Sequence, residues 1–422
     1  MKEDLLQFIW AFSLFNRSNL ITDSGEAVRI QNTGVINKIS GPGFSDARVY
    51  IGENLWVGNV EIHIRASDWN YYGHQNDGAY NSVILHVVYD NDKAILNAKN
   101  EAIPTIELKG RIHKETLNRY QQIHHNEDEL LCSSFIDQIP EIQFNAWLQR
   151  LLVNRLERKV IEVSLLKTLH NGDWLETFYA LFVGYFGQNQ NKLVFQDLTR
   201  RLPFIVISKH LDNELQIEAL LYGAAGLLDV NSADPYVQEL FGEYSFLKSK
   251  YGLTEVNLQW KFGGIRPESF PTRRLALLAR IIPHIQSIYN NILSVKEYSW
   301  PILGSISHKY WDFHYTYNDN SDNSKKINVT EGFRNILEIN VIAPFAFYYG
   351  HETGSENYID YAMRVLENAR PESNGIVKWW VRYKKAPLDA GQSQALIELK
   401  TQYCDHKNCV ICNIGKSIIL KQ

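Results

Sequence analysis

The chain contains little sulfur and no long apolar segment. It has 2 methionines and 4 cysteines in 422 residues. No apolar run approaches the roughly 20 residues that a membrane-spanning helix needs, so we do not expect an integral membrane protein. The formal net charge of −4 at pH 7 excludes a strongly basic protein that coats nucleic acid, although it permits a local basic groove.

The first residues also lack the order of segments that is typical of a signal peptide. Lys2, Glu3 and Asp4 precede only a short amphipathic stretch. We therefore expect a cytoplasmic protein without a membrane partner. The sequence leaves the oligomeric state open.

The apolar patterning predicts an α+β protein with two domains. Residues 1–115 contain most of the strand patterns, and we expect an α/β domain with a mixed sheet there. Residues 116–140 are polar and are predicted to form a linker. Residues 141–422 are dominated by helical periodicity, which predicts a large helical domain that ends in a cysteine-rich tail.

Polar side chains on the predicted strands form the first candidate site. Glu61 and His63 are two residues apart on one strand, so they point to the same face of the sheet. Asp46 opens the preceding strand. Asp46 and Glu61 would supply the oxygen ligands that Mg²⁺ or Mn²⁺ prefers, and His63 would orient water or stabilise the transition state. The alternative is that Glu61 and His63 pair with neighbours on a partly exposed sheet.

Nearby residues form a second candidate set. Its members are acidic or imidazole side chains that follow Glu61 in the sequence, namely Asp68, His74, Asp77 and His86. With His63, the spacing of the histidines is compatible with a transition-metal site. The alternative is that His86, which lies inside an apolar strand, is a core histidine with a hydrogen-bonded ring.

The cysteines form a third candidate site. Cys404, Cys409 and Cys412 have C-x4-C-x2-C spacing, and Cys132 is distant in sequence. In a cytoplasmic protein such clustering favours metal binding over disulfide bonds. These thiolates could hold Zn²⁺ or an iron–sulfur cluster if Cys132 or His406 supplies a fourth ligand. The alternative is three ordinary cysteines that cap a C-terminal helix, with Cys409 and Cys412 facing the core.

Three arginines form the last candidate site. Arg266, Arg273 and Arg274 lie beside Phe262 and Phe270, an arrangement that could bind phosphates while stacking on bases. The alternative is a structural loop whose arginines bind local carboxylates.

Five segments carry a resemblance to a known family. They read GNVEIHIRASDW, VILHVVY, IPTIELK, GIRPESFPTRRLALLA and YCDHKNCVIC. These segments resemble the bacterial domain of unknown function 2851 family, which brings no established activity with it. The N-terminal part is similar in layout to the PD-(D/E)XK nuclease core. Such cores surround a divalent cation with an acidic residue on one strand and a Glu-x-Lys on the next.

This resemblance implies a metal-dependent nuclease acting on DNA or RNA. Glu61 matches the glutamate of the motif, and His63 stands where the lysine would be. Relatives carry acidic residues where this chain has Ile39 and Gly43, so the implied activity is weakened unless Asp46 substitutes. We keep two alternatives, a non-enzymatic nucleic-acid-binding or scaffolding protein, and a zinc hydrolase that uses the clustered histidines.

Overall fold

The computed structural model of the protein contains two compact units. It describes residues 1–37, 40–229, 231–254, 258–295, 308, 310–317, 319–320 and 325–421. The N-terminal unit comprises Met1–Trp147 and Thr401–Gln422, and the helical unit comprises Leu148–Lys400. The cysteine-rich tail, which we expected to end the helical domain, therefore belongs to the N-terminal unit. Ile39 lies outside the described residues.

The described secondary structure consists mainly of helices. The strands are β1 (Val28–Asn32), β2 (Val35–Ile36), β3 (Phe44–Ile51), β4 (Asn54–Arg65), β5 (Val83–Asp90), β6 (Thr105–Glu107), β7 (His314–Thr316) and β8 (Asp319–Asn320). The helices are α1 (Glu3–Ala11), α2 (Asp68–Tyr71), α3 (Lys114–His124), α4 (Ser133–Ile136), α5 (Glu141–Leu169), α6 (Trp174–Gly184), α7 (Gln188–Arg201), α8 (Phe204–Ile207), α9 (Glu214–Ala224), α10 (Pro235–Tyr251), α11 (Pro271–Ile281), α12 (Ile285–Leu293), α13 (Glu331–Leu337), α14 (Ala343–Thr353), α15 (Glu356–Asn368), α16 (Gly375–Arg382), α17 (Ala390–Glu398) and α18 (Asn413–Leu420).

The N-terminal unit is built on a mixed sheet of six strands. The strand order is β1-β3-β4-β5-β6, and β2 pairs with β3. β3 and β4 form an antiparallel hairpin, whereas β4, β5 and β6 run parallel to one another. The sequence Gly52-Glu53-Asn54 is typical of a hairpin turn, and Gly52 has φ 61 between these two strands. The mixed α/β class of this part is thus as the strand patterns predicted.

A parallel pair needs a crossover, and here the crossover carries functional candidates. The chain leaves β4, forms α2 and two short 3-10 turns, and enters β5. Trp69 of α2 is fully buried and packs in a cluster with Ala66 and Val88. Burying a side chain of this size contributes roughly 1.5–3 kcal/mol, which holds the crossover against the sheet.

The helical unit contains the helices from α6 to α17 and confirms the helical pattern of this region. The helical periodicity of residues 271–292 predicts one continuous helix, but the structure divides it. A 3-10 turn at Ile282–His284 separates α11 from α12, because Pro283 has no amide hydrogen to continue the helix. Residues 116–140, predicted as a linker, contain most of α3 and all of α4. In the described part of the chain, no helix has the length and apolarity needed to cross a membrane.

Candidate functional site

Glu61 and His63 lie on one face of β4, next to the parallel strand β5. In the sheet register Glu61 is opposite His86. Glu61, His63 and His86 are 5 %, 1 % and 0 % exposed, so each is buried. The alternation of side chains along β4 brings Glu61 and His63 to the same side, as the sequence predicted. The expectation that this sheet face is partly exposed does not hold.

Three imidazoles meet above this sheet face. His63 Nδ1 and His86 Nε2 are 2.8 Å apart and share a hydrogen bond. The ring of His74, from the crossover, stacks on His63 with centroids 5.2 Å apart. The ring of Tyr80 in turn stacks on the ring of His74, and the two centroids are 3.7 Å apart. The crossover therefore brings His74 over the strands although it is eleven residues from His63 in the sequence.

A carboxylate and two imidazoles form a compact ligand set. Ligand atoms of Glu61, His63 and His74 all lie within 4.8 Å of one another. Glu61 Oε1 is 3.6 Å from His63 Nε2. One oxygen ligand with two imidazole nitrogens suits zinc, iron or manganese better than magnesium, which prefers oxygen ligands.

The pKa values of this set follow from burial. Burial raises the pKa of Glu61 to about 7, and amide hydrogen bonds from Gly43 and Ile62 oppose the rise. Burial lowers the pKa of His63 to about 3, and the nearby His74 lowers it further. The imidazoles are therefore neutral at pH 7, which leaves ring nitrogen lone pairs for a metal.

His86 determines which nitrogen of His63 can bind. If His63 binds a metal through Nε2, its proton lies on Nδ1 and is donated to His86 Nε2. The proton of His86 then lies on Nδ1, a buried atom that has no hydrogen-bond partner among the residues that the structure describes. His86 is thus a core histidine that orients the neighbouring His63 ring.

An acidic residue of α1, missed in the sequence, lies near Glu61. The charge of Glu3 raises the pKa of Glu61, and Gln7 donates a hydrogen bond of 3.3 Å to Glu3 Oε1. Burial, with the charges of Asp68 and Asp4, raises the pKa of Glu3 itself. In the sequence, the feature that indicates a role for Glu3 is its i, i+4 spacing from Gln7 on a largely apolar helix.

Asp46 does not join Glu61, which corrects the expected carboxylate pair. β3 contains a bulge between Phe44 and Ala47, so Ser45 and Asp46 together face one residue of β4. Asp46 has φ 57 and is exposed. The group of ligand atoms around Glu61 does not include it. The bulge turns this side chain away from the site.

Asp68 and Asp77 shape the crossover. Asp68 Oδ2 accepts a hydrogen bond of 2.9 Å from the Arg65 amide. Asp77 Oδ1 accepts one of 2.9 Å from the Ala79 amide and caps a 3-10 turn. Both are local turn contacts, although the charge of Asp77 also raises the pKa of His74 against the effect of burial.

The predicted arginine site does not form as a unit. Arg273 is 4 % exposed and donates to backbone oxygens, among them that of Lys325 at 2.6 Å. The Arg274 guanidinium lies 4.8 Å from the centre of the Phe333 ring, and burial lowers its pKa to about 10. Only Arg266 is exposed, and it lines a cleft of about 760 Å³. These contacts of Arg273 and Arg274 are structural, but they are made with backbone oxygens and an aromatic ring and not with the carboxylates that the alternative named.

A second group of ligand atoms, in the helical unit, has a structural explanation. Glu214, Glu218 and His308 offer ligand atoms within 4.8 Å of one another. Backbone amides of Tyr310 and Trp311 donate to His308 Nδ1 at 3.2 and 3.1 Å, so this nitrogen accepts. His308 Nε2 therefore carries the proton and donates to Glu218 Oε1 at 2.7 Å. Both nitrogens are engaged, which leaves none for a metal.

The comparison with family models matches residues 3–375 to a family described as "Protein of unknown function (DUF2851)". The chain belongs to the DUF2851 family. The match contains every residue of the Glu61 site in this DUF2851 member and ends before Cys404. No curated protein and no solved structure matches it.

Proposed function

We propose that the N-terminal unit hydrolyses phosphodiester bonds of DNA or RNA with a divalent transition-metal ion bound by Glu61, His63 and His74. The observation that carries this proposal is the approach of their ligand atoms to within 4.8 Å of one another. The metal differs from the Mg²⁺ expected from two carboxylates, because imidazoles replace Asp46 as ligands.

A metal ion held there would polarise a phosphoryl oxygen and lower the pKa of a water molecule. In the reaction, the water oxygen bonds to phosphorus and the bond from phosphorus to the leaving oxygen breaks. The leaving oxygen gains one proton and the attacking water loses one, so no other reactant is required. Glu61 offsets part of the ion's charge, and His86 keeps the His63 ring in the binding orientation through the 2.8 Å hydrogen bond.

Exposed aromatic side chains beside the site support a nucleic-acid substrate. Tyr71 and Tyr72 are 83 % and 58 % exposed at the end of α2. The Tyr72 ring stacks on His63 at 5.6 Å between centroids. Stacking of a base on such a ring contributes roughly 1–3 kcal/mol and requires unpaired bases. We therefore expect single-stranded substrates to be preferred.

The order of elements also supports the proposal. Helix α1 precedes antiparallel strands, and a helical crossover then leads to the parallel strand β5. This order is compatible with a core that carries an acidic residue on one strand and a Glu-x-Lys on the next. By the resemblance, Glu61 corresponds to the glutamate of the Glu-x-Lys and His63 to its lysine.

The test is a cleavage assay on purified protein with Mn²⁺, Zn²⁺ or Mg²⁺ and single-stranded or double-stranded oligonucleotides. We expect Mn²⁺-dependent or Zn²⁺-dependent cleavage that falls by roughly 100-fold or more in Glu61→Gln, as when a group that stabilises transition-state charge is removed. Asp46→Asn is the matched control, since Asp46 is an exposed acid outside the site, and it should retain activity. Absence of both cleavage and metal binding would exclude the proposal.

A non-enzymatic nucleic-acid-binding protein is the second candidate. The exposure of Asp46 favours it, because a second carboxylate next to Glu61 is then missing from β3. Oligonucleotide binding that is unchanged by metal, by chelator and by Glu61→Gln, with no cleavage under any condition, would support this candidate over the enzyme.

A further inference from the structure

The 4 cysteines of the chain line a single cavity in the N-terminal unit. Cys132 lies just before α4, and the other three lie in the C-terminal segment. The cavity has a volume of about 20 Å³. Its remaining lining residues are Leu130, Leu131, Tyr403, Asn408 and Gly415. Chance packing would not be expected to bring every thiol of a long chain to one place.

The backbone of the C-terminal segment is folded tightly around these cysteines. A π turn, Leu399–Cys404, leads into the segment. The Asn408 amide donates to the Tyr403 oxygen at 2.9 Å, and the Cys412 amide donates to the Asn408 oxygen at 3.1 Å. Consecutive bonds of this kind make a compact loop that presents three thiols to one side.

Helix α18 closes the loop by a close backbone approach. A Cβ atom on Gly415 would lie 2.1 Å from the backbone oxygen of Cys409, a distance that no side chain can occupy. Glycine is therefore required where the helix meets the loop. The contact sets the position of Cys409 relative to Cys412, which precedes α18.

The Cys412 side chain is buried, the other three cysteines are partly buried, and all four line the same cavity. Burial raises the pKa of Cys132 to about 12, and the neighbouring Cys412 and Cys409 contribute to the rise. Burial also raises the pKa of Cys412, but the amides of Gly415 and Ile414 hydrogen bond to its sulfur and oppose the rise. Amide hydrogen bonds to sulfur are a common feature of metal-bound thiolates, because they stabilise the negative charge.

We propose that Cys132, Cys404, Cys409 and Cys412 bind an iron–sulfur cluster through four thiolates. The cluster joins the C-terminal segment to the chain before α4, within the N-terminal unit. It is separate from the Glu61 site in residues and in chemistry, and it does not depend on the proposed hydrolase function. Cluster binding replaces four thiol protons by metal–sulfur bonds, which removes the cost of leaving buried thiolates uncompensated.

The distances between sulfur atoms favour a cluster over a single zinc ion. Zinc–sulfur bonds are about 2.3 Å long, so two sulfurs on one zinc are at most about 4.6 Å apart. Among the described residues, two groups have three or more ligand atoms within 4.8 Å of one another, and neither contains a cysteine. No three of these thiols are therefore close enough to share one zinc ion, whereas a cluster of several irons and sulfides spans a wider set of ligands.

The test uses the full-length protein without an affinity tag, purified without oxygen. We expect iron and acid-labile sulfide in matching amounts, and visible absorption that bleaches on reduction. Single substitutions Cys132→Ser, Cys404→Ser, Cys409→Ser and Cys412→Ser should each abolish or strongly reduce the iron content. Glu61→Gln is the matched control and should keep the cluster, which separates this proposal from the hydrolase proposal.

A measurement on the protein without substitutions tests the proposal even if the cysteine variants fail to fold. The four thiols should resist alkylation in the purified protein and become reactive after the cluster is removed by oxidation and chelation, as read by mass spectrometry. Immediate alkylation of all four thiols in folded protein would overturn the proposal. Purified protein that contains zinc without iron or sulfide would also overturn the proposal of an iron–sulfur cluster.

Discussion

The backbone amide of Gly43 donates a hydrogen bond of 2.7 Å to Glu61 Oε2. This contact joins the beginning of β3 to the carboxylate of β4. Gly43 is also a position where the resemblance implied an acidic residue. The Gly43 amide thus donates a hydrogen bond to one oxygen of Glu61, at the place where a second carboxylate would otherwise lie.

Gly43→Asp should strengthen metal binding. A Cβ atom at Gly43 would meet Gln7, Glu61 Oε2 and the Val60 oxygen at 3.7, 3.9 and 4.0 Å, which are ordinary contacts. The new carboxylate would add an oxygen ligand beside Glu61. We expect Mn²⁺ to bind at least about tenfold more tightly, or ~1.4 kcal/mol, in a calorimetric titration.

Ser40→Asp is the control for Gly43→Asp, because Ser40 is exposed and gains the same charge nearby. It should leave the Mn²⁺ affinity unchanged. Equal affinity gains in both variants would mean that the added charge attracts Mn²⁺ without forming a ligand at position 43.

His86→Leu should weaken metal binding without removing a ligand. The substitution breaks the hydrogen bond to His63 Nδ1 and leaves that buried atom without its partner. We expect a loss of roughly 10–100-fold in metal affinity, as for other residues that orient a metal-binding imidazole. His86→Gln, which retains an acceptor, should recover part of the affinity. A metal titration that gives the same affinity for His86→Leu as for the original protein would contradict the orienting role.

Lys159 should make stability depend on pH. Burial lowers its pKa from 10.5 to about 7; Arg155 and Lys192 lower it further, and Glu372 and Glu162 oppose them. Between about pH 7 and about pH 10.5 the unfolded chain holds a proton that the folded protein has lost. The contribution of Lys159 to the free energy of unfolding should therefore increase with pH in this interval and be constant below it.

Urea unfolding of the original protein and of Lys159→Met at several pH values tests this dependence. The free energy of unfolding of the original protein should increase relative to that of Lys159→Met as the pH rises from 7 towards 10. Lys159 Nζ also donates to Asn340 Oδ1 at 2.8 Å, and the loss of this bond is a component that does not vary with pH. A difference that is independent of pH would show that the Lys159 amine stays charged.

Gly415→Ala should destabilise the N-terminal unit. The added methyl group would collide with the Cys409 oxygen, and relief requires the loop or α18 to move. We expect a loss of about 1–3 kcal/mol in the free energy of unfolding and a lower iron content. Gly375→Ala is the control, since nothing lies within 4 Å of a Cβ there and the residue begins α16. Equal melting temperatures for both variants would contradict the close approach.

Local patterns predicted the elements that surround the Glu61 site. The apolar run of β5 and the turn at Gly52 are properties of a few neighbouring residues, and both formed as expected. The same reasoning missed the break at Pro283 and the bulge that contains Asp46. Each interruption involves only one or two residues inside a longer apolar pattern, so the pattern on either side of it did not indicate its position.

The placement of charged residues was less predictable. Arg273 and Arg274 have the composition of a phosphate-binding surface, yet Arg273 is buried against backbone oxygens and the half-buried Arg274 lies over an aromatic ring. No sequence pattern places Glu3 beside Glu61, because their proximity depends on how α1 packs on the sheet. A charged side chain can satisfy itself with water, a carbonyl or a partner charge, and only the folded chain selects among them.

By itself, the sequence determined that Glu61 and His63 share one face of a strand and that three cysteines lie close together near the C-terminus. Strand alternation and short spacing are local, so distant contacts cannot change them. The tertiary structure alone decided that Gly43, His74 and His86 surround that strand and that Cys132 joins the other cysteines. These residues meet because the burial of apolar faces joins segments distant in sequence, and a bulge or a crossover then determines which polar side chains face one another.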